Sequence, residues 1–156
     1  MPIDRFFVED QLILDSELVV EEQEFHHLAH VSRVRQGEIV EIVNGRGQLA
    51  EAEVIELQKR RARLHISTLK EELPSNAKLI LVQAIVRPQR LDLIVEKGTE
   101  LGMDVLLLFP GDRSERKGKI ENLPDQLRPT AISALKQSGR LYLPEIKLMP
   151  PLSKIS

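Results

Sequence analysis

LILVQAIV, at residues 79–86, is a nearly uninterrupted apolar run of strand length. Such a run predicts a strand of a parallel sheet that is buried on both faces. Pro88 follows at a position that suits the first turn of a helix, where its missing N–H group costs no hydrogen bond. The apolar residues of RLDLIVEKGTEL (90–101) recur with helical spacing, and Gly102 fits the position just after a helix end. The stretch therefore predicts a strand followed by a helix.

The same pattern repeats towards the C-terminus. DVLLLF (104–109) predicts a second buried strand, a second helix is expected over about 124–138, and EIKLM (145–149) predicts a third strand. Alternating strands and helices require crossover connections and favour a parallel α/β sheet. These elements amount to half of a usual doubly wound domain, so the sequence predicts an open sheet.

The N-terminal half has the pattern of an antiparallel sheet. In RRARLHISTL (60–69), Ala62, Leu64 and Ile66 share one face and polar residues share the other, which predicts a strand with one buried face. Asn44-Gly45-Arg46-Gly47 is a strong turn signal between two further strand candidates. We predict a small, mostly antiparallel barrel or sheet, with strands at 5–8, 38–43, 48–57 and 60–69 and one short helix within 21–34.

A boundary between the two halves is predicted at EELPSN (71–76), which divides the chain into domains 1–73 and 74–156. The first domain carries 9 Lys and Arg against 15 Asp and Glu, and the second carries 13 against 9. The second domain is therefore the better candidate for an anionic partner. Ordinary variation of surface charge is the alternative explanation.

Composition and motifs exclude several classes of protein. The chain has no cysteine, which excludes disulfides and thiolate chemistry. No run reaches the roughly 18 apolar residues of a membrane span, and no signal peptide is visible, so we expect a cytoplasmic protein without a membrane partner. Walker and G-x-G-x-x-G motifs are absent, and Ser114 and Ser138 lie in no nucleophile motif. His26 and His30 would share a helix face, but no third ligand is evident and no metal is expected.

Two basic loops follow the first two predicted parallel strands, at 86–90 and 110–119. Ligands of open α/β sheets bind beyond the carboxyl ends of the strands, where both loops would lie. Arginine suits bidentate phosphate contact, so a nucleic-acid backbone is the predicted partner. A solvated surface, partly neutralised by Asp112 and Glu115, is the alternative. The cations concerned are Arg87, Arg90, Arg113, Arg116, Lys117 and Lys119.

Short motifs occur in order along nearly the whole chain. In the first domain they are Arg5-Phe6-Phe7-Val8, His27-Leu28 with Val31, Arg33 and Gly37, and Asn44-Gly45 with Gly47. In the second they are Arg90 with Lys97, Thr99-Glu100-Leu101-Gly102 and Pro110, then Ser114-Glu115-Arg116, and Gln137-Ser138 with Arg140 and Pro144. Together they resemble the RsmE family, the ribosomal RNA uridine-N3 methyltransferases of the SPOUT class.

The resemblance implies a fold of class α/β plus β. Its parts are a small N-terminal PUA-like β-barrel that helps to hold RNA and the first half of a SPOUT-type parallel α/β domain. It also implies S-adenosylmethionine as methyl donor, small-subunit ribosomal RNA as substrate, and a homodimer formed through the SPOUT domain. The family's later G-P-E-G-G and L-G-x-R-I-L-R-x-E-T-A segments, which form the cofactor pocket in a trefoil knot, are not found. We therefore expect a C-terminal truncation, a cofactor site beyond Ser156 and no cofactor-binding residue within the chain.

The resemblance also implies roles for single residues. Arg113, Arg116 and Glu100 are expected to be catalytic. N3 of uracil must lose its proton, and the cationic side chains of Arg113 and Arg116 would favour the resulting anion. For Glu100 the alternative is a surface pair with Lys97. Gln137 and Arg140 precede the third strand and are expected at the opposite sheet edge, where they serve across a dimer or are structural. Expected RNA contacts are Arg5, Arg33, Arg87, Arg90, Ser114, Lys117, Lys119, Gln137 and Arg140.

Three interpretations are open at this point. The favoured one is an RNA methyltransferase whose cofactor pocket lies outside this chain. The second is a non-catalytic RNA-binding module. The third is an unrelated α/β protein whose basic loops are only solvated. The salt dependence of RNA binding separates the third from the other two.

Overall fold

The chain folds as two compact units, residues 1–74 and 75–156, in a computed structural model that describes residues 3–112 and 120–154. Each unit has a hydrophobic core of its own. No helix among the described residues is long and apolar enough to cross a membrane.

The first unit is built on one five-stranded sheet. Its strands are β1 (Arg5–Phe7), β2 (Glu17–Glu21), β3 (Ile39–Val43), β4 (Gln48–Leu57) and β5 (Arg61–Glu71). The order in the sheet is β1-β3-β4-β5-β2, with β1 parallel to β3 and the other neighbours antiparallel. The prediction of a mostly antiparallel sheet is confirmed.

Alternating side chains of this sheet form the core of the first unit. Ala62, Leu64 and Ile66 of β5 are buried, as their spacing predicts. β2 was not predicted, although Leu18 and Val20 are buried between exposed neighbours. Two apolar positions are too few to distinguish a short strand from a loop by periodicity.

The predicted helix of the first unit is present in two parts. α1 (Glu22–His26) continues directly into a π-helical turn, His27–Val31. Phe25 and Leu28 are buried and belong to the core of the unit. These two anchors hold the helical segment against the sheet.

The second unit contains three parallel strands and two helices. They are β6 (Ile80–Ala84), α2 (Pro88–Glu100), β7 (Val105–Phe109), α3 (Leu123–Ser138) and β8 (Glu145–Leu148), followed by a 3₁₀ turn, Leu152–Lys154. The sheet order is β6-β7-β8. Pro88 opens α2, and Gly102 follows its end with φ +85°. The predicted alternation of strands and helices is confirmed.

The prediction that 79–86 is buried on both faces is wrong. Ile80 and Val82 of β6 are 52% and 49% exposed. β6 is an edge strand, and both helices contribute to the core cluster on the face that carries Leu106 and Leu108 of β7. Ile80 and Val82 pair in register with the residues that alternate with those leucines, so they lie on the face that the helices do not cover. An apolar run predicts a strand but does not report what covers it.

Candidate nucleic-acid interface

The carboxyl ends of β6 and β7 lie side by side. Ala84 is opposite Phe109 in the parallel register, and the N–H of Ile85 donates to the carbonyl oxygen of Phe109 at 2.8 Å. Just beyond the strands, a Cβ atom on Gly111 would lie 3.5 Å from the Cβ of Ala84. The loops after the two strands therefore begin at one edge of the sheet, which we call the basic edge (described residues 85–90 and 110–112).

Two arginines of the basic edge have free guanidinium groups. Arg87 immediately precedes α2, and its carbonyl oxygen accepts hydrogen bonds from the N–H groups of Arg90 and Leu91 at 3.0 and 3.1 Å. The side chains of Arg87 and Arg90 are exposed and form no ion pair or hydrogen bond with any residue in the described ranges. Both lie at the amino end of α2, which carries a partial positive charge. An anionic group is the ligand that suits this arrangement.

The second loop of the basic edge is described only as far as Asp112. Asp112 is exposed and is the one acid among the described residues of the two loops. The remaining residues expected to act here lie outside the described residues: Arg113, Ser114, Glu115, Arg116, Lys117 and Lys119. Their roles stay predictions.

Glu100 lies at the other end of α2. Its Oε2 accepts a hydrogen bond from Nζ of Lys97 at 3.2 Å. This bond and the charge of Glu100 raise the pKa of Lys97 above its usual value. A helix of 13 residues is roughly 18 Å long, so the structure does not bring Glu100 together with Arg87 and Arg90. The geometry favours the surface pair, and a catalytic role for Glu100 stays a prediction.

Arg140 contacts the carboxyl end of α2, at the sheet edge opposite the basic edge. Its Nε donates to the carbonyl oxygen of Glu100 at 3.0 Å. Its guanidinium covers Gly102, where a Cβ atom would lie 3.1 Å from Nη1. A cation complements the negative end of a helix dipole. The sequence shows both motifs but not their contact, because the partners are 40 residues apart.

Gln137 is the penultimate residue of α3. It is exposed and lines an open groove between α2 and α3 together with Glu96, Thr130 and Ser133. The hydroxyl of Thr130 donates to Oδ1 of Asp92 at 2.9 Å and joins the two helices. The structure thus places Gln137 away from the basic edge, and its contact with RNA stays a prediction.

Arg5 is held inside the sheet of the first unit. It is opposite Glu41 in the parallel pairing of β1 and β3, and its Nη2 lies 2.7 Å from Oε2 of that residue. The two side chains are 18% and 22% exposed. Among the described residues Nη1 of Arg5 is buried without an acceptor. The ion pair explains why the arginine is tolerated there, and an RNA contact of Arg5 stays a prediction.

Arg33 follows the π-helical turn with φ +55°, a left-handed conformation that is uncommon for a residue with a side chain. Its side chain is exposed and has no partner in the part of the chain that the structure describes. Strained backbone conformations cluster at functional sites. The position is therefore compatible with the predicted contact to an anionic ligand.

Family models match both units. The model described as "RNA methyltransferase domain" matches residues 71–156, and that described as "RNA methyltransferase PUA domain" matches residues 20–67. The chain is 26% identical over 150 residues to ribosomal RNA small subunit methyltransferase E of Buchnera aphidicola. A protein of the same name from Mycobacterium bovis is 28% identical over 131 residues. These alignments cover 94% and 82% of this chain but only 59% and 50% of the relatives.

Solved structures have the same fold. A predicted RNA methyltransferase from Thermotoga maritima superposes with a TM-score of 0.81 at 27% identity, over 96% of this chain and 66% of that chain. Ribosomal RNA small subunit methyltransferase E from Neisseria gonorrhoeae, bound to S-adenosyl methionine, superposes with a TM-score of 0.84 at 24% identity. The latter superposition covers 96% of this chain and 62% of that chain. The chain thus spans about two thirds or less of these relatives.

Proposed function

Since the chain belongs to the family of RNA methyltransferase domains, and its resemblance to the RsmE family is confirmed, we propose that it serves the methylation of small-subunit ribosomal RNA. Its own part in that reaction is to hold the RNA. The single observation that carries this proposal is the pair of free, exposed arginines at the basic edge of a domain from this family. A cytoplasmic location belongs to the proposal.

The basic edge suits RNA because of its charge and its position. Arg87 and Arg90 extend from the carboxyl edge of the parallel sheet, where open α/β domains bind their ligands. Their guanidinium groups have no carboxylate partner among the described residues, and the planar fork of arginine suits bidentate contact with phosphate. Arg33 adds an exposed cation in the first unit, which matches a PUA domain model from the same class of protein.

The target atom that we propose is N3 of a uridine. N3 carries a proton in neutral uracil, so methylation requires its removal and passes through negative charge on the ring. Fixed cations stabilise such charge when they are aimed at it before the reaction. Arg113 and Arg116 are the residues proposed for this role, and both lie outside the described residues.

S-adenosylmethionine is the proposed methyl donor, as it is the molecule bound to the Neisseria gonorrhoeae relative. The described residues of the basic edge do not fit this cofactor. Its carboxylate could pair with Arg87 or Arg90, but Asp112 is the one carboxylate that the described residues of this edge offer to its sulfonium and ammonium groups. We therefore propose that the cofactor is held by a part of the whole protein outside this chain, and that the SPOUT-type domain is completed and dimerises there.

A non-catalytic RNA-binding module is the second candidate function. The observation that favours it is coverage, because the chain spans 59% of the Buchnera aphidicola relative and 62% of the Neisseria gonorrhoeae structure. Both candidates predict RNA binding at the basic edge. They differ in whether the protein that contains this chain transfers a methyl group.

The test is RNA affinity as a function of salt. We would measure binding of a small-subunit ribosomal RNA fragment by fluorescence anisotropy between 50 and 300 mM KCl, as roughly the range over which phosphate contacts are screened. In Arg87→Ala/Arg90→Ala the slope of log K against log[salt] should become shallower by roughly 1.4, since each lost phosphate contact on single-stranded RNA removes about 0.7.

The matched control is Lys78→Ala/Lys147→Ala, which also removes two positive charges from the second unit but not from the basic edge. We expect its salt slope to equal that of the parent chain. Equal slopes in the arginine double variant and the parent would remove the basic edge from the RNA interface. An equal loss in both double variants would show that only net charge matters, which would also contradict the proposal.

A further inference from the structure

Three of the four histidines of the chain lie in one helical segment of the first unit, and the RNA-binding proposal uses none of them. His26 ends α1, and His27 and His30 belong to the π-helical turn that follows. His27 is half-buried and packs edge-on against Phe6, with ring centroids 5.2 Å apart. His26 and His30 are both exposed. The segment therefore separates one packing histidine from two that face solvent.

His26 and His30 lie next to each other in space. Their ring centroids are 5.2 Å apart and the ring planes are inclined by 41°. The ring of His30 also contacts Phe25 edge-on, with ring centroids 6.0 Å apart, and Phe25 is buried. The buried anchors Phe25 and Leu28 fix the backbone that carries the pair. Only the rotamer freedom of the two exposed side chains is then lost when both rings bind one ligand.

This spacing matches the geometry of two imidazoles on one metal ion. With a metal–nitrogen distance of about 2.1 Å and roughly 1.1 Å from a ring nitrogen to its centroid, each centroid lies about 3.2 Å from the metal. Two centroids 5.2 Å apart then subtend an angle of roughly 110° at the ion, close to the tetrahedral value. The rings satisfy the distance without rearrangement of the helix.

We propose that His26 and His30 form a two-ligand site for a borderline divalent transition metal such as Zn²⁺, Ni²⁺ or Cu²⁺. Imidazole suits these ions, and Cu²⁺ is bound most tightly in the usual order of divalent affinities. No group of three His, Cys, Asp or Glu residues that could hold a metal occurs in the described ranges. Water completes the coordination, so the ion exchanges freely and does not hold the fold together as a four-ligand zinc site does.

The site binds metal only when both imidazoles are neutral, because a protonated ring has no lone pair to donate. Nothing in the RNA-binding proposal requires the ion. The metal site lies in the first unit and fails independently of the basic edge in the second unit.

The test uses the untagged chain and isothermal titration with Zn²⁺ and with Cu²⁺ at pH 7.5. The parent chain should bind one ion at pH 7.5, and His26→Gln and His30→Gln should each weaken binding at least roughly tenfold, since either change leaves a single ligand without the gain in effective concentration. His65→Gln is the matched control, because the fourth histidine lies in β5 with its side chain 38% exposed.

Circular dichroism verifies that each variant keeps the fold, so that loss of binding reports the ligand and not unfolding. Unchanged affinity in either His26→Gln or His30→Gln would overturn the site, as would a parent chain that binds no more tightly than its variants. A loss in His65→Gln equal to that in the other two would also overturn it, since binding would then reflect scattered surface histidines.

Discussion

Gly102→Ala tests how the end of α2 is built. Gly102 has φ +85°, and an alanine Cβ there would lie 3.1 Å from Nη1 and 3.2 Å from Cζ of Arg140. The substitution therefore does two things. It places a side chain in a left-handed backbone conformation, and it pushes the guanidinium away from the carbonyl oxygen of Glu100 that it binds at 3.0 Å.

The expected cost is the sum of these effects. A left-handed conformation costs an L-residue about 1–2 kcal/mol. The hydrogen bond from Arg140 lies at the surface, where solvent competes, so its loss is limited to about 1 kcal/mol or less. The free energy of unfolding should thus fall by about 2 kcal/mol. With a urea dependence of roughly 1–3 kcal/mol/M, the unfolding midpoint of the second unit should fall by roughly 1 M.

Urea denaturation of four chains gives the required comparison: the parent, Gly102→Ala, Arg140→Ala and the double variant. In the Arg140→Ala background, Gly102→Ala should lower the free energy of unfolding only by the backbone part of its cost, because the contact with Arg140 is already absent. Gly37→Ala is the matched control for that part, since Gly37 has φ +87° and nothing within 4 Å of an added Cβ. A cost for Gly102→Ala that is equal in both backgrounds would refute the contact. An unchanged midpoint in the single variant would refute the need for a left-handed residue.

Two further predictions concern the first unit. Gln48→Leu should lower the free energy of unfolding by about 2–4 kcal/mol. Gln48 is buried, and its side chain accepts a hydrogen bond from the N–H of Leu12 and donates one to the carbonyl oxygen of Leu12, so both backbone groups would lose this partner. Urea unfolding measures the change, and a loss below about 0.5 kcal/mol would contradict the prediction. Hydrogen bonds from Gln58 and then Arg63 lower the pKa of Glu56 below its ordinary 4.5. A carboxylate whose pKa is lower in the folded state stabilises the fold at a pH above its ordinary pKa, and this stabilisation is lost as the pH falls through the folded-state pKa. An NMR titration should therefore place the midpoint of Glu56 below 4.5 and move it upward in Arg63→Gln, whereas a midpoint at or above 4.5 in the parent would show that the network is not formed.

Local sequence patterns predicted the elements of both units but not their surroundings. The strand at 79–86 was identified from its apolar run, yet burial depends on neighbours that are distant in sequence, and Ile80 and Val82 prove to be half exposed at a sheet edge. β2 was missed for a related reason, since Leu18 and Val20 form a strand only by pairing with β5, which lies more than 40 residues later in the chain.

The candidate site divides in the same way. Arg87 and Arg90 could be placed from sequence, because a parallel strand followed by a helix fixes the edge on which its loop lies. The position of Glu100 could have been deduced from the length of α2, which separates it from those arginines. The contact between Arg140 and the end of α2 could not be deduced, because no periodicity joins a residue that follows α3 to the end of another helix 40 residues earlier.

We propose that this chain binds RNA but not S-adenosylmethionine. The most direct test is calorimetric titration of S-adenosylmethionine into this chain, beside the Neisseria gonorrhoeae relative as the positive control, with RNA binding measured on the same samples. We predict that the relative binds both ligands, whereas this chain binds the RNA fragment and shows no saturable heat with the cofactor. Saturable cofactor binding by this chain would contradict the division of roles, and absence of RNA binding would contradict the account as a whole.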